Sequence, residues 1–325
     1  MNRDLVSLLV PCFRGEGTIA RLIDSVVAQT YPHIELVIVN DGSDDCSEEI
    51  IQSYEEVLRQ GGMTLVYVYQ ENKGLGGAID TALKHFHGAY ICFADADDFL
   101  APTSIQRRVE FLRENPSYAV VSSDAYAVSE QDLTKPLSRI SDGVSSNEDE
   151  EQFWHLLNAN SIFCTGCHMI RAEDFLKVNP DRSIYPARRG QNWQLLLPVY
   201  YQYKRAFLNE PLYYYVISEG SMSDDNNDPK KQLIRCDEHE IILNETLSRM
   251  KISEADLARA SKLITVNYSR KRLYIAGRNG IKDLAKLQYD KLKALGENNR
   301  KDLFQLWIAK SGFLRKLYLK KKISD

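Results

Sequence analysis

Residues 89–98 read AYICFADADD, a continuous apolar run that ends in three carboxylates. A bounded apolar run of this length is typical of a strand buried on both faces of a sheet. Asp95, Asp97 and Asp98 then follow where that strand is predicted to end. Carboxylates this close repel one another unless a cation or a hydrogen-bonding ligand lies between them. The stretch therefore predicts a buried strand with an acidic binding edge, and an acidic turn that caps the next helix is the alternative.

A second acidic turn occurs in residues 34–45, which read IELVIVNDGSDD. Here too an apolar run, predicted to be a strand, leads into polar residues, beginning with Asn40 and Asp41. Ligands of doubly wound sheets bind beyond the carboxyl ends of the strands, so both turns are predicted to face one pocket. Amide and carboxylate oxygens accept hydrogen bonds from a base or ribose, and Mg2+ or Mn2+ bridges carboxylates to substrate phosphates. The two turns together predict a diphosphate and metal site.

The spacing of apolar residues around these turns predicts an α/β fold. Strands are predicted at residues 5–10, 34–39 and 63–69, and helices at residues 18–30 and 74–85. This alternation of strands and helices is typical of a doubly wound, mostly parallel central sheet flanked by helices.

Two later segments have a different pattern. The polar residues 123–150 are predicted to form a mobile surface loop beside the site. Beyond about residue 225, helical periodicity replaces the strand signals. We therefore divide the chain into a catalytic domain, residues 1–225, and a C-terminal helical region, residues 226–325.

The composition excludes several classes of protein. The 325 residues carry a net charge of -4, which gives no field that would hold nucleic acid. No run approaches the roughly 20 apolar residues that span a bilayer. The six cysteines are scattered, and the single CxxC of Cys164 and Cys167 lacks a second pair at zinc-site spacing. We expect reduced thiols, no zinc and a cytoplasmic location.

Residues 8–45, LLVPCFRGEGTIARLIDSVVAQTYPHIELVIVNDGSDD, resemble the opening of the family 2 glycosyltransferases, with its "SxxxQTY" helix end and "DDGSxD" turn. Residues 70–102, QENKGLGGAIDTALKHFHGAYICFADADDFLAP, are similar to the stretch of that family that ends in "DADD" and a proline. The resemblance is dense over about residues 5–120 and looser to about residue 220. It implies the GT-A fold and a metal-assisted, inverting transfer of a sugar from a nucleotide-sugar.

The resemblance also implies roles for particular residues. Asp41 falls on the uridine-binding aspartate of the family, Asp97 on its main metal ligand, and Asp95 on a residue that contacts ribose or metal. The cofactor expected is Mn2+ or Mg2+. With the residues of the two acidic turns included, the expected nucleotide-sugar contacts are Pro11, Phe13, Glu16, Asn40, Asp41, Lys73, Asp95 and Ala96.

The segment that should supply the catalytic base departs from the family. Family members carry "E-D-W" at the start of a helix under the acceptor, where this chain has Gln191, Asn192 and Trp193. Amides cannot accept the acceptor proton. Asp181, or else Glu173 or Asp174, is an alternative base, and Gln191 and Asn192 would then only position the acceptor. A base elsewhere in the chain, or Trp193 as a core residue beside a capping Asn192, is also consistent with the sequence.

Other expected contacts are less specific. His168 is either an acceptor contact or a structural residue, and the arginines 188 and 189 either attract an acceptor phosphate or are solvated. Ser221 and Ser223 remain as phosphate contacts in an element that lacks the arginine and histidine of the family. The basic, tryptophan-bearing segment 303–322 is expected to contact an anionic membrane surface peripherally, with packing on the catalytic domain or a homo-oligomer contact as the alternative.

The function expected is that of a hexosyl- or N-acetylhexosaminyltransferase. It would move a sugar from a UDP-sugar to a saccharide or lipid-linked acceptor in surface polysaccharide synthesis, in the cytoplasm or on the inner face of the cell membrane. A nucleotide- or glycan-binding protein that has lost turnover is the alternative, suggested by the amides at 191 and 192. A pyrophosphorylase or a dehydrogenase is disfavoured, since residues 11–17, PCFRGEG, match neither a basic glycine-rich loop nor GxGxxG.

Overall fold

The computed structural model describes residues 2–218 and 228–324, with side chains placed for residues 5–218 and 228–319. The chain divides into two compact units. The first comprises Met1–Ser218 and Glu245–Ile252, and the second comprises Glu219–Asn244 and Ser253–Asp325. The expected division between residues 225 and 226 stays a prediction, and Ser221 and Ser223 lie outside the described residues.

Within the described residues, the first unit contains one nine-stranded sheet flanked by helices. The strands are β1 (Asn2–Cys12), β2 (Ile34–Asn40), β3 (Thr64–Tyr69), β4 (Gly88–Phe93), β5 (Phe99–Leu100), β6 (Tyr118–Ser129), β7 (Asp132–Arg139), β8 (His168–Arg171) and β9 (Lys204–Ile217). The helices up to residue 202 are α1 (Ile19–Val27), α2 (Ser47–Ser53), α3 (Glu55–Gln60), α4 (Gly74–His85), α5 (Ser104–Glu114), α6 (Phe153–Leu157), α7 (Ala172–Val178) and α8 (Gln191–Gln202).

The strand order is β3-β2-β1-β4-β8-β6-β9-β5, with β7 paired to β6. The pairs among β1 to β4 are all parallel, as predicted, whereas β4 with β8, β8 with β6, and β5 with β9 are antiparallel. Cys12 pairs with Asn40, Asn40 with Tyr69, and Leu9 with Phe93. The carboxyl ends of the first four strands therefore meet at one edge of the sheet, which we call the carboxyl edge.

Burial explains why these strands lie at the centre of the sheet. All seven residues of β2 are buried, and Val6 to Val10 of β1 are inaccessible to solvent. The α1 side chains Ile19, Leu22, Ile23 and Val26 pack into the same core. A strand covered on both faces needs a continuous apolar run, which is the pattern that the sequence shows.

The prediction of a mobile loop at residues 123–150 is wrong in its first half. Residues 118–139 form the antiparallel hairpin of β6 and β7, and β6 also pairs with β8 and β9. Its polar residues are buried: the Asp124 carboxylate accepts hydrogen bonds from the backbone N–H and the hydroxyl of Ser141 and forms an ion pair with Arg139 at 2.6 Å. Paired polar groups can occupy a sheet interior, so low hydrophobicity did not exclude a strand here.

The second unit is helical, as predicted. The helices are α9 (Pro229–Arg249), which ends in the first unit, α10 (Glu254–Asn279), α11 (Lys282–Ala294), α12 (Arg300–Lys310) and α13 (Gly312–Ser324). Its core includes Leu273, Ala285 and Leu292. Instead of one basic helix over 303–322, the chain forms α12 and α13, which meet at Ser311 and Gly312. No helix within the described part of the chain is long and apolar enough to cross a membrane.

Candidate active site

The turn after β2 holds its two polar residues in different ways. Asn40 is buried, its amide N–H donates to the Tyr67 hydroxyl at 3.0 Å, and its Oδ1 accepts from the Ser43 N–H at 2.9 Å. Asp41 is buried too, and one of its carboxylate oxygens accepts from Gln70 at 2.6 Å and from the Lys73 N–H at 2.8 Å. Asn40 thus shapes the turn, while Asp41 is fixed against the turn after β3.

The glycines of these turns allow the close packing. Gly42 has φ +75°, and a Cβ there would lie 2.8 Å from the Asn72 nitrogen. At the start of α4, a Cβ on Gly76 would lie 2.4 Å from the carbonyl oxygen of Ala187. The exposed Lys73 therefore lies beside Asp41 on a turn that the backbone geometry holds in place.

The loop after β1 is tied to the turn before α2. The Gly15 N–H donates to Ser47 at 2.8 Å, and the Glu16 carboxylate accepts from the Cys46 N–H at 3.1 Å. Phe13, at the exposed end of this loop, has 47% of its surface accessible, and Pro11 is half-buried within β1. The Phe13 ring is thus accessible at the surface, whereas the Glu16 carboxylate holds the loop through its hydrogen bond.

Three aspartates follow β4 and share one electrostatic environment. Burial, and then repulsion from Asp97, raises the pKa of Asp95 to about 7. Burial also raises the pKa of Asp97, with repulsion from Glu130 adding to the shift and Arg21 opposing it. Burial and then Asp95 raise the pKa of Asp98 well above its usual range. Such clustered, perturbed carboxylates at the edge of a sheet are typical of a functional site.

Asp98 differs from the other two because its carboxylate has partners inside the protein. It accepts hydrogen bonds from the Tyr213 hydroxyl and from the Val216 N–H, both at 2.8 Å. The Tyr213 hydroxyl in turn accepts from the Asp95 N–H at 3.1 Å. A Cβ on Gly166 would lie 2.1 Å from the Tyr213 ring, so only glycine leaves room for it. Tyr213 therefore supports the turn of residues 95–98, which we call the aspartate turn, and Asp98 is a structural member of it.

Asp95 and Asp97 are left to face a ligand, and we asked whether they suit a cation. Within residues 2–218 and 228–324, no three His, Cys, Asp or Glu side chains are gathered as a complete metal site. Mg2+ and its relatives, however, usually take one or two carboxylates together with substrate phosphates and waters. A cation favours the ionised form of a carboxylate whose pKa burial has raised. The two aspartates therefore fit a hard divalent cation shared with a diphosphate.

The predicted residues Gln191, Asn192 and Trp193 begin α8 behind Gly190, whose φ is +75°. The Asn192 Oδ1 accepts from the Thr165 hydroxyl at 2.5 Å, and its amide N–H donates to the Phe163 carbonyl oxygen. The Trp193 ring packs against that of Phe163, with centroids 4.9 Å apart. Asn192 thus uses both ends of its amide to hold the segment before β8.

The three carboxylates expected as alternative bases lie elsewhere. β8 runs antiparallel to β4, with Arg171 opposite Tyr90, so the chain leaving β8 lies near the amino end of β4. Arg182 confirms this placement, because it donates to the carbonyl oxygen of Phe86 at 3.0 Å, just before β4 begins. The length of a six-residue strand is about 20 Å. Asp181, Glu173 and Asp174 therefore stand at the opposite edge of the sheet from Asp95, and none is placed to act as the base.

His168 is also removed from any ligand. It is fully buried, and its Nδ1 shares a hydrogen bond with the Ser122 hydroxyl at 2.7 Å. Burial, and then the charge of Arg205, lowers the pKa of His168 to about 3. It is therefore neutral and structural.

Residues 7–178, more than half of the chain, match the family described as Glycosyl transferase family 2. The chain belongs to glycosyl transferase family 2. This confirms the family and the enzyme class expected from the sequence.

Similar proteins are known from several bacteria. The chain is 29% identical over 242 residues to glycosyltransferase GlyA of Streptococcus pneumoniae, an alignment that covers 68% of this chain and 32% of GlyA. It is 32% identical over 137 residues to TuaG of Bacillus subtilis, whose name assigns it provisionally to teichuronic acid biosynthesis; this covers 42% of the chain and 52% of TuaG. The chain thus spans about a third and about half of the length of these relatives.

Solved structures show the same fold. TarS of S. aureus in complex with UDP-GlcNAc superposes with a TM-score of 0.62 at 17% identity, over 98% of this chain and 92% of that one. A mannosyltransferase from Pyrobaculum calidifontis, in complex with GDP-Man and Mn2+, superposes with a TM-score of 0.55 at 16% identity, over 98% and 84% of the two chains. The GT-A fold expected from the sequence is confirmed.

The candidate site thus contains residues that the sequence singled out and others that it did not. The carboxyl edge brings together Phe13, Asp41, Lys73, Asp95 and Asp97, whose contacts with a donor stay predictions. Tyr213, Phe163 and Glu130 were missed. Residues 213–215 are three tyrosines in a row, but no local pattern shows that Tyr213 contacts the aspartates, and none marks Phe163 or Glu130.

Proposed function

We propose that the transferase moves a sugar from a UDP-sugar to a saccharide or lipid-linked acceptor with the help of Mn2+ or Mg2+. The observation that carries the proposal is the convergence of two acidic turns, after β2 and after β4, at one edge of the sheet. These strands flank β1, so their ends lie two strand spacings apart, about 10 Å. A nucleoside diphosphate can reach from Asp41 to Asp97 across that span.

On the donor side, Asp41 is proposed to bind the uracil or ribose. Its carboxylate is fixed by Gln70 and by the backbone of Lys73, so the group is ordered before the ligand arrives. Phe13 is proposed to pack on the base, and the Lys73 ammonium to neutralise phosphate charge. The complex of TarS with UDP-GlcNAc supports the choice of a uridine nucleotide for this fold.

On the metal side, Asp97 is proposed as the main ligand and Asp95 as the second. Bound there, a divalent cation would neutralise the charge that develops on the departing diphosphate. Asp98 is excluded as a ligand, because Tyr213 and Val216 already occupy its carboxylate. The Mn2+ in the mannosyltransferase structure supports metal use in this fold.

An inverting displacement also needs a carboxylate to accept the acceptor proton. Gln191 and Asn192 cannot do this, and the aspartates and glutamate of residues 173–181 are at the other edge. Glu130 is exposed and lies close enough to Asp97 for their charges to repel each other. Asp95 and Asp97 are proposed to bind the cation, so we propose Glu130 as the proton acceptor.

The biological role proposed is synthesis of a surface polysaccharide, which the provisional assignment of TuaG to teichuronic acid biosynthesis supports. All six cysteines are free, as is usual in a reducing compartment such as the cytoplasm. Residues 310–322 hold six Lys or Arg and no Asp or Glu. Trp307 and Phe313, in the same helices, are 53% and 72% exposed. We therefore propose peripheral contact of α12 and α13 with the inner face of the cell membrane.

The test of the donor site is thermal denaturation of the wild-type chain and of Asp97→Ala with UDP, with Mn2+, and with both. A ligand that binds the native state raises the midpoint by mass action. We expect UDP and Mn2+ together to raise the wild-type midpoint more than either alone, and the Mn2+-dependent part to vanish in Asp97→Ala. The matched control is Asp181→Ala at the opposite edge, where an unchanged shift is expected. Equal shifts in wild type and Asp97→Ala would refute the metal assignment.

The amides at 191 and 192 favour one second candidate, a nucleotide-binding relative without turnover. Both candidates predict UDP binding, so turnover separates them. Slow hydrolysis of UDP-GlcNAc or UDP-glucose that requires Mn2+ would support the transferase, since water can replace the acceptor. Tight binding of UDP with no release from either donor and no transfer to any saccharide would favour the second candidate.

A further inference from the structure

Phe163 is a large aromatic side chain left at the surface next to the aspartate turn. It is 42% exposed, although its ring packs against Trp193, which is only 9% exposed. The two ring planes are inclined at 53° with centroids 4.9 Å apart. One side of the Phe163 ring is thus supported by the protein, and much of its remaining surface meets solvent.

The amide of Asn192 sets the position of Phe163. It donates to the Phe163 carbonyl oxygen and accepts from the Thr165 hydroxyl, so it holds the backbone on both sides of Cys164. A carboxylate has no hydrogen to donate and would set a negative charge against the Phe163 carbonyl. The amide at this position therefore has a structural purpose that an acidic residue could not serve.

The segment also lies beside the proposed metal ligands. The hydrogen bond with Cys167, then burial, and also the nearby charge of Asp95 raise the pKa of the Cys164 thiol, so Cys164 lies close to Asp95. Gly166, two residues further on, packs under the Tyr213 ring that supports the aspartate turn. Along the carboxyl edge the order is then Asp41 after β2, the aspartates after β4, and Phe163 before β8. Phe163 therefore lies on the side of the diphosphate site away from the nucleoside site.

We propose that Phe163, supported by Trp193 and held by Asn192, is the platform on which a sugar ring of the acceptor stacks. The C–H face of a sugar is weakly positive and apolar, and it packs against the negative face of an aromatic ring. An exposed ring that is already ordered loses little freedom when a ligand binds. The inference rests on the proposed transfer to a saccharide and names the group that would bind it. A sugar on this ring would lie beside Asp95, on the side where the transferred sugar is expected.

The test measures binding of saccharides to the full chain in the presence of UDP and Mn2+ by saturation-transfer NMR. The probes are the methyl β-glycosides of glucose, galactose and N-acetylglucosamine and the β1,4-linked disaccharides of the same sugars. We expect at least one probe to bind the wild type, Phe163→Ala to bind it about 10-fold more weakly, and Phe163→Trp to retain it. The control Leu137→Ala removes an exposed apolar side chain of β7, 61% exposed against 42% for Phe163, and should change nothing.

Several results would overturn the proposal. They are the absence of binding by every probe, equal binding in Phe163→Ala and wild type, or a weaker affinity for the UDP-sugar with saccharide binding unchanged. The last result would assign the ring to the donor sugar. The thermal shift with UDP and Mn2+ is measured on the same samples, so loss of the donor site is seen separately from loss of the platform.

Asn192→Asp provides an independent test of the positioning role. If the position mattered as a lost base, the aspartate would raise turnover. The hydrogen bonds predict instead that it weakens saccharide binding about as much as Phe163→Ala, with the donor shift retained. Thr165→Val removes only the hydrogen bond from the Thr165 hydroxyl to Asn192 and should weaken saccharide binding less. It replaces Asn192→Asp as the test if that variant does not fold. Faster turnover in Asn192→Asp, or unchanged saccharide affinity in both variants, contradicts the inference.

Discussion

The substitution Asp95→Asn should stabilise the protein while impairing its proposed activity. Burial, and then repulsion from Asp97, raises the pKa of Asp95 to about 7 from an ordinary value of 3.8. A carboxyl whose pKa rises on folding resists ionisation in the folded state. Asparagine keeps the shape of the group but never ionises, so it removes this resistance.

The size and the pH range of the effect follow from linkage. The folded chain binds the Asp95 proton more tightly than the unfolded chain does. The protonated carboxyl therefore contributes stability that is fully present below about pH 4 and is lost as the pH rises to about 7. Multiplying the difference between 7 and 3.8 by about 1.36 kcal/mol per pKa unit gives about 4 kcal/mol above pH 7. This is an upper figure, because Asp95 and Asp98 interact and the shift belongs to the pair of carboxyl groups rather than to Asp95 alone. Asp95→Asn should thus match the wild type near pH 4 and exceed its stability at pH 8.

The assay is urea denaturation of the metal-free wild type, Asp95→Asn and Asp181→Asn at pH 5 and pH 8. The exposed Asp181 at the opposite edge controls for the loss of one negative charge, and its change should stay within about 0.5 kcal/mol. Mn2+ and UDP should stabilise the wild type at pH 8 more than they stabilise Asp95→Asn. A variant that is no more stable than the wild type at pH 8, or equally stabilised at both pH values, would refute the reasoning.

Three further predictions concern other parts of the chain. Tyr213→Phe removes the hydroxyl between Asp98 and the Asp95 N–H, and should lower the free energy of unfolding by about 1–3 kcal/mol, measured in urea, while also weakening Mn2+ binding. Glu130→Gln removes a negative charge near Asp97 and should raise the Kd for Mn2+ by about 2- to 5-fold in a titration; an unchanged Kd would place Glu130 outside the site. Replacing Trp307 and Phe313 by serine should reduce sedimentation with vesicles containing anionic phosphatidylglycerol, while vesicles of phosphatidylcholine alone should bind neither form; a change in oligomeric state instead would assign these side chains to a contact between copies.

The part of the fold that could be predicted is the part that buries apolar residues locally. The first four strands, β1 to β4, are apolar runs bounded by turns, and α1 carries its apolar residues on one face. A window of about ten residues is therefore enough to predict each of these elements. The hairpin of β6 and β7 does not. Its residues Ser122, Ser123 and Asp124 are buried because distant groups satisfy them, such as Arg139 and Ser141 for the aspartate. A local pattern cannot show a partner 15 or more residues away.

The same distinction applies to the candidate site. Asp41 and Asp97 could be predicted together because β2 and β4 both run parallel to β1, which lies between them, and therefore end at the same edge of the sheet. Asp181 was misplaced because nothing in the sequence shows that β8 runs antiparallel to β4, and that direction carries the chain after β8 to the other edge. The residues that precede β8, including Phe163, lie near the carboxyl end of β4 for the same reason.

The aspartate turn combines groups that disfavour one another, and the structure shows how it remains folded. Asp98 is stabilised from within by Tyr213 and Val216, whereas Asp95 and Asp97 gain no comparable donors from the described side chains, apart from the charge of Arg21 near Asp97. Ionisation of Asp95 above pH 7 lowers the free energy of unfolding. A divalent cation that binds the ionised carboxylates can offset that loss. A site that destabilises the folded protein when it is empty stabilises it more when its ligand binds. Asp95→Asn is therefore expected to raise the free energy of unfolding without ligand and to reduce the stabilisation by Mn2+ and UDP.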